Sequence, residues 1–361
     1  MRVYVSVASR LTPQVSRLMP DDLFSRLFDL FNQPGPINWK LAAEVAHHLT
    51  GERAAIDPWA AEQLVELSHF SQARLEPEAP FPLPPPAETT VVDARQWVDQ
   101  TMEGFGYLGE TISDATAGPI AGMGAALAGM QVGSTVGTIA SAYAGAFEAG
   151  LAYERPMSLL LIGPGIERVH RVTGVDPREA RLWAVASEIV HRGLFAVPWL
   201  LEHVSRLLGI YAVHLVPNPD KIMELLNTDP NAITQADPDM LQELMGGSEA
   251  LPHRRALQGF LSITTGYCQF LVERAFQKEL PSVDRLGSPP AAEMPMLGIP
   301  LADSDMTRRG ARFCAEVEKR YGRDAVDGIW IGPERLPVAA ELDDPVGWAA
   351  RVLLEDMSSE M

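Results

Sequence analysis

A run of small, uncharged residues places the strongest constraint on how this chain can fold. Residues 115–147 contain no charged side chain. Within this run Gly129, Gly133 and Gly137 recur every four residues. Because residues four apart lie on the same face of a helix, one face of a helix here has no side chains. A second helix can therefore approach this face closely, and the run predicts tightly packed helices.

The same run also has the length of a membrane hairpin, in which G-x-x-x-G faces pack together. Two features favour a buried helix pair in a soluble core. The run is made of Ala, Gly, Ser and Thr rather than the Leu, Ile and Phe that drive insertion into lipid. Gln131 in its middle is also costly in lipid. We therefore expect no membrane span.

Charge and cysteine usage limit the classes of partner. The chain has 361 residues, 47% apolar residues and a net charge of −18, so it can bury a sizeable core and repels phosphate backbones. We expect no nucleic-acid partner. Cys268 and Cys314 are far apart in the sequence and form no disulfide framework. The N-terminus is too short and polar for a signal peptide. These features predict a cytoplasmic protein.

The chain is predicted to be mainly α with a minor β element. Residues 1–76 form a helical segment that packs on the core, and residues 77–90 form a Pro-rich strap. Residues 91–361 form the core, with the glycine-rich buried helices and a strand near 158–162. Asp176 and Pro177 begin a long helix that runs to about Ala196.

The centre of that long helix reads S-E-I-V-H, from Ser187 to His191. A zinc-protease helix reads H-E-x-x-H, with two histidines on one face and a glutamate that activates the bound water. Here Glu188 and His191 hold their places, but a serine hydroxyl is a poor zinc ligand. On spacing alone, a structural helix is favoured over a metal site.

Other chemistry with the same residues stays open. Ser187 and His191 lie one turn apart and could act as nucleophile and base, although nucleophilic serines usually occupy strained turns. His203, on the next helix, could supply a metal ligand from an adjacent element, as could His170 or His214.

The local patterns together resemble the zincin-like hydrolase family (the Zincin_2 group). Its core reads L-W-x-x-x-H-E-x-x-H-x-x-x-F-x-x-V-P-W-L. This sequence matches at Leu182, Trp183, Glu188, His191, Phe195, Val197, Pro198, Trp199 and Leu200. Three further stretches are similar: the N-terminal "INWKLAAEVA", the glycine-rich run followed by "LLLIGPGI", and the C-terminal "IWIGPERLPVAAELDDPVGWAARV". The resemblance covers nearly the whole chain and implies one integrated domain.

The resemblance also implies a site. It implies a metallopeptidase-like zinc helix with Glu188 as base, a strand before the helix on which a peptide could pair, and a later helix whose glutamate is the third ligand. Ser187 stands where the first histidine would be, and Thr265, in "TTGY", stands where that glutamate would be. Of the family's metal set only His191 remains. Zinc is the cofactor expected for the family, but here we expect none or weak binding.

Three hypotheses follow from the sequence. In the first, the chain keeps the zincin-like fold, has lost zinc catalysis, and binds or scaffolds a peptide or protein. In the second, it is a working hydrolase whose metal or nucleophile is assembled differently, for example from His191 with His203 or His170. In the third, it is a non-enzymatic interaction protein that uses its acidic surface.

Overall fold

The structure of the protein is a computed structural model. It describes residues 35–54, 57–85, 88–115, 121–145, 147–151, 158–214, 249–287 and 300–359. Predictions that fall on residues 1–34, and on parts of the strap and the glycine-rich run, lie outside the described residues. Among the residues described, no single helix is long and apolar enough to cross a membrane. The bent pair Pro177–Phe195 and Pro198–His214, at 88°, meets that criterion by length and composition only.

The described part of the chain is built mainly from α-helices. In chain order they are α1 Trp39–Thr50, α2 Pro58–Leu75, α3 Ala94–Thr101, α4 Gly106–Ala115, α5 Ala121–Ala142, α6 Gly163–Thr173, α7 Pro177–Phe195, α8 Pro198–His214, α9 Leu251–Ala275, α10 Ser304–Tyr321, α11 Arg323–Asp327 and α12 Pro345–Ser359. Short 3-10 turns include Met102–Phe105 and Phe147–Ala149. The β element has two strands, β1 Thr89–Val92 and β2 Leu159–Ile162. The predicted fold class, mainly α with a minor β element, is confirmed.

The glycine face of α5 packs against α1. An added Cβ at Gly133 would lie 2.3 Å from the carbonyl oxygen of Ala42, and one at Gly129 would lie 2.4 Å from that of Asn38. One turn further, a Cβ at Gly137 would lie 2.9 Å from Cα of Ala46. Both helices advance by four residues per contact in the same direction, so they run parallel. Because these glycines of α5 have no side chains, the backbone of α5 packs directly against the backbone of α1.

The two strands form a small parallel sheet. Thr89 pairs with Leu159, and the register continues to Val92 with Ile162. All four residues of β2 are buried. The predicted strand near 158–162 is therefore present. β1 straddles the predicted boundary between strap and core at 90 and 91. Its TTVV sequence suits a strand, but the strand forms only because β2, about 70 residues later, supplies its hydrogen bonds.

Helix α7 is the central helix of the core. The Asp176 side chain accepts a hydrogen bond from the Arg178 amide at 2.8 Å, and Pro177 occupies the first turn. Every residue from Ala180 to Phe195 is buried. The helix thus begins where the capping signal predicts and packs on all sides.

Helix α9 lies against α7 in the opposite direction. Trp183 Nε1 donates to Gln269 Oε1 at 3.0 Å. The Ser282 amide, beyond the C-terminal end of α9, donates to Glu179 near the N-terminal end of α7. His203 on α8 packs against Phe260, towards the N-terminal end of α9. These contacts align the pair antiparallel.

The Pro-rich segment crosses the C-terminal half of α7. Phe81 and Leu83 are buried, and Arg192 donates to the carbonyl oxygen of Pro84 at 2.6 Å. A Cβ on Gly193 would lie 2.2 Å from the Leu83 side chain. One hydrophobic cluster holds most of the buried apolar side chains described, from Ile37 to Val352. The division into a 1–76 segment, a 77–90 strap and a 91–361 core within one integrated domain stays a prediction.

Candidate functional site on helix α7

Ser187, Glu188 and His191 lie in the buried middle of α7, with exposed fractions of 4%, 2% and 3%. Ser187 and His191 share one face because they are four residues apart. A surface cleft of about 400 Å³ lies between α2 and α6, and a second of about 490 Å³ lies between α2 and the N-terminal part of α7. None of the three residues lines either cleft. The motif that the sequence singles out is therefore enclosed by protein.

The imidazole of His191 has a defined tautomer. Its Nδ1 lies 2.8 Å from the carbonyl oxygen of Ser187. A carbonyl oxygen only accepts, so Nδ1 carries the proton and Nε2 carries a lone pair. Nε2 is buried and has no hydrogen-bond partner among the residues described. Burial lowers the pKa of His191 to about 4, so the ring is neutral at physiological pH. This tautomer is the one that a metal ligand needs.

The geometry does not pair Ser187 with His191 as nucleophile and base. The nitrogen Nδ1 of His191 donates to the backbone carbonyl of Ser187, and Nε2 has no partner in the described part of the chain. A base that activates a serine must be hydrogen-bonded to the hydroxyl. Ser187 also lies in the middle of a buried helix instead of on an exposed turn.

Thr265 lies on α9, 1% exposed. Its hydroxyl donates to the Leu261 carbonyl at 2.7 Å and lies 3.2 Å from the Thr307 hydroxyl. Trp183 and Gln269 meet across the antiparallel pair, so Ser187 and Thr265 each lie one turn further along the same interface. Their assignment as former ligand positions stays a prediction.

Glu188 contacts the chain's own backbone. Its Oε1 accepts a hydrogen bond from the Phe147 amide at 3.1 Å. An added Cβ on Gly145 would lie 2.0 Å from the same oxygen. The carboxylate that would serve as a base is thus bonded to a main-chain N–H and covered by a glycine.

The alternative histidines have neighbours of their own. His170, on α6, lies 3.5 Å from the Glu167 carboxylate. His203 lies against Trp199 and Phe260, and its pKa is lowered by burial and by Arg206. At the end of α8, His214 stacks on His253 with ring centroids 4.1 Å apart. The structure gives none of the three histidines a contact with His191.

The residues present do not fit a catalytic zinc, the metal that the sequence resemblance implies. The described ranges hold no group of three or more His, Cys, Asp or Glu side chains that could bind a metal. At the expected position one imidazole faces an interface with two hydroxyl residues, Ser187 and Thr265. His191 keeps the tautomer of a ligand, but neutral hydroxyls are poor partners for Zn²⁺.

Glu148, the charged residue that directly follows the uncharged run, is a buried carboxylate that the sequence patterns did not single out. It is 4% exposed, and its Oε2 accepts a hydrogen bond from the Ala144 amide at 2.8 Å. Burial raises the pKa of Glu148 to about 7, against the lowering effects of that hydrogen bond and of the charge on Arg168. A single charge directly after a long uncharged run was the signal that could have identified it.

Glu148→Gln is expected to remove a pH dependence of stability. The pKa of the Glu148 carboxyl is raised in the folded state, so its protonated form stabilises the folded protein. This contribution is complete below the unfolded pKa of 4.5 and is lost as pH rises through about 7. The loss amounts to about 3 kcal/mol between these limits. Urea unfolding from pH 4.5 to 8 measures it. The variant should lose this slope, while the exposed control Glu103→Gln should keep it; equal slopes in both variants would contradict the assignment.

Comparison with known proteins finds one matching family model and a similar solved structure. A family model described as a zincin-like metallopeptidase matches residues 37–349. A crystal structure from Chloroflexus aurantiacus, described as "a putative hydrolase with a novel fold", aligns with a TM-score of 0.53 and 22% identity. The alignment covers 87% of this chain and 98% of that chain. At this identity the likeness shows the fold alone. None of the curated proteins matches.

Proposed function

The chain belongs to the zincin-like metallopeptidase family, and from this premise we propose that it is a member that has lost zinc hydrolysis and acts by binding a peptide or protein. The observation that carries the proposal is the state of Glu188. Its carboxylate accepts a hydrogen bond from the Phe147 amide, and Gly145 packs against it. The residue is only 2% exposed. A general base must reach the proton that it removes, and this carboxylate is engaged by the backbone instead.

The ligand positions support the same proposal. Ser187 and Thr265 replace the two ligands that would accompany His191, and the Thr265 hydroxyl bonds within its own helix. Both replacements are small and hydroxyl-bearing, and both are buried at the α7–α9 interface. Loss of one ligand removes the selective value of the other, so the two changes belong together. The cytoplasm stays the predicted location.

Metal analysis of the purified full chain tests the proposal. The protein is loaded with excess Zn²⁺, dialysed, and measured by mass spectrometry beside the His191→Ala variant. We expect both to retain the same trace of zinc, far below one ion per chain. Stoichiometric zinc that is lost in His191→Ala, with peptide hydrolysis that is lost in Glu188→Gln, would overturn the proposal.

A second candidate is a hydrolase with a rearranged site, and the lone pair on His191 Nε2 favours it. Among the residues described no donor reaches this lone pair, so it could accept a proton or bind a metal brought by a substrate. Ester or peptide hydrolysis that is abolished in Ser187→Ala would support the serine form of this candidate. Zinc-dependent hydrolysis lost in His203→Ala or His170→Ala would support the metal form.

A further inference from the structure

Two histidines lie face to face at one end of the helix pair α8 and α9. His214 is the last residue of α8, and His253 lies in the first turn of α9. Their ring centroids are 4.1 Å apart, and the ring planes are inclined by 33°. Nearer the other end of α8, His203 packs on Phe260, so the two helices run antiparallel. The histidine pair therefore lies at the base of the connection, residues 215–250, that joins α8 to α9.

Hydrogen bonding fixes the tautomer of His214 and leaves His253 able to turn. In the neutral ring of His214, Nδ1 donates to the Ile210 carbonyl oxygen at 2.8 Å, so Nε2 carries a lone pair. A carbonyl that accepts from the second ring nitrogen is the arrangement that orients histidines bound to metals. Within the described ranges His253 has no hydrogen bond, and both rings are partly exposed. An ion from solvent can reach both rings.

The distance between the two rings suits one ion bound by both. Metal–nitrogen distances of about 2.1 Å place two nitrogens on the same ion roughly 3 Å apart. Rings with centroids 4.1 Å apart meet this spacing once His253 turns a nitrogen towards Nε2 of His214. Two imidazoles with water in the other positions suit the tetragonal coordination of Ni²⁺ and Cu²⁺. The pair therefore has the ligand type and the spacing of a small transition-metal site.

We propose that His214 and His253 bind a divalent transition-metal ion of the nickel and copper class, which joins the end of α8 to the start of α9. The ion closes the base of the connection 215–250, and a cross-link that closes a long loop restricts the unfolded chain most. The site lies apart from the zinc helix α7 and goes beyond the proposed function. Zn²⁺ takes three or four protein ligands in its sites, so two imidazoles release it on dialysis.

Calorimetric titration of the full chain, without an affinity tag, with Ni²⁺ tests the site. The variants are His214→Phe and His253→Phe, because phenylalanine keeps an aromatic ring in the stack but offers no ligand. We expect the natural chain to bind one Ni²⁺ and each variant to bind it at least about 10-fold more weakly, since the second imidazole of a pair binds intramolecularly. The chain has eight histidines, so the control is His48→Phe, an exposed position that should leave the affinity unchanged.

Two further measurements separate a shared ion from general surface binding. Electron paramagnetic resonance of bound Cu²⁺ should report two imidazole nitrogens in the natural chain and one in either variant. Ni²⁺ should raise the Tm of the natural chain and of His48→Phe, and should leave that of His214→Phe and His253→Phe unchanged. If a phenylalanine variant does not fold, the glutamine variant at the same position replaces it.

Three results would overturn the inference. One is equal Ni²⁺ affinity in the natural chain and in both variants, which would make the binding a general property of surface histidines. Another is a Cu²⁺ spectrum with a single imidazole nitrogen in the natural chain. The third is an ion that both rings bind but that does not raise Tm, since such an ion would not join α8 to α9 in the folded protein.

Discussion

Ser187→His combined with Thr265→Glu is expected to turn α7 into a zinc-binding helix. The introduced imidazole would lie four residues before His191 on the same face, and the introduced carboxylate on the facing helix would be the third ligand. His191 already has Nδ1 fixed by the Ser187 backbone carbonyl, which the substitution retains. We expect zinc affinity to rise from weaker than about millimolar to about micromolar or tighter. Competition with a chromophoric chelator measures it.

The side chain introduced by Thr265→Glu needs more room than the threonine that it replaces. Its hydroxyl lies 3.2 Å from that of Thr307, and a glutamate is longer. Thr307→Ala is therefore added in a parallel variant to make room. Adding His191→Ala should abolish the zinc binding, and Ser187→His alone should bind far more weakly, since it offers only two imidazoles. If the double variant and the variant with Thr307→Ala both fold and neither binds zinc, then Ser187 and Thr265 are not the former ligand positions.

The sequence predicted the site helix well because its signals are local. Asp176 and Pro177 mark its start by capping chemistry, and the observed end at Phe195 is one residue from the predicted end. The strand at Leu159–Ile162 is also a local apolar run closed by Gly163 and Pro164. Such elements follow from residues within a few positions of each other.

The surroundings of Glu188 could not be predicted in the same way. Its partner Phe147 is 41 residues away, and the bridge between Gly145 and Leu161 joins two segments that carry no pairing signal in sequence. β1 was missed for the same reason, since four residues make a strand only beside a partner. Long-range contacts of this kind depend on how the helices pack, which residue patterns do not specify.

The sequence indicated which residues form the candidate site, while their hydrogen-bond partners and burial came from the structure. The S-E-I-V-H pattern marks Glu188 and His191 as the residues to examine. The pattern cannot indicate that Glu188 binds a backbone amide or that His191 Nε2 has no partner among the described residues. The first fact argues against a base, and the second describes a ring that keeps a ligand's tautomer.

Gly133→Ala is expected to lower the free energy of unfolding by about 3 kcal/mol, the upper part of the range for overpacking a core. A Cβ there would lie 2.3 Å from the Ala42 carbonyl oxygen and 2.8 Å from Cα of Ala42. Both atoms belong to the backbone of α1, so no side-chain rotation relieves the clash. The better helix propensity of alanine returns only about 1 kcal/mol. Urea unfolding measures the net loss.

Two further glycines show whether close approach, rather than glycine as such, sets the cost. A Cβ at Gly137 would meet α1 at 2.9–3.0 Å, so Gly137→Ala should cost less than Gly133→Ala. Gly106→Ala, with its nearest atom at 3.5 Å, should be neutral or slightly stabilising. Equal losses at all three positions would contradict the packing of α1 on the glycine face. The expected losses are graded because each added methyl group must push away the atoms nearest to it. Those atoms lie closest at Gly133, where α1 approaches the backbone of α5, and furthest away at Gly106.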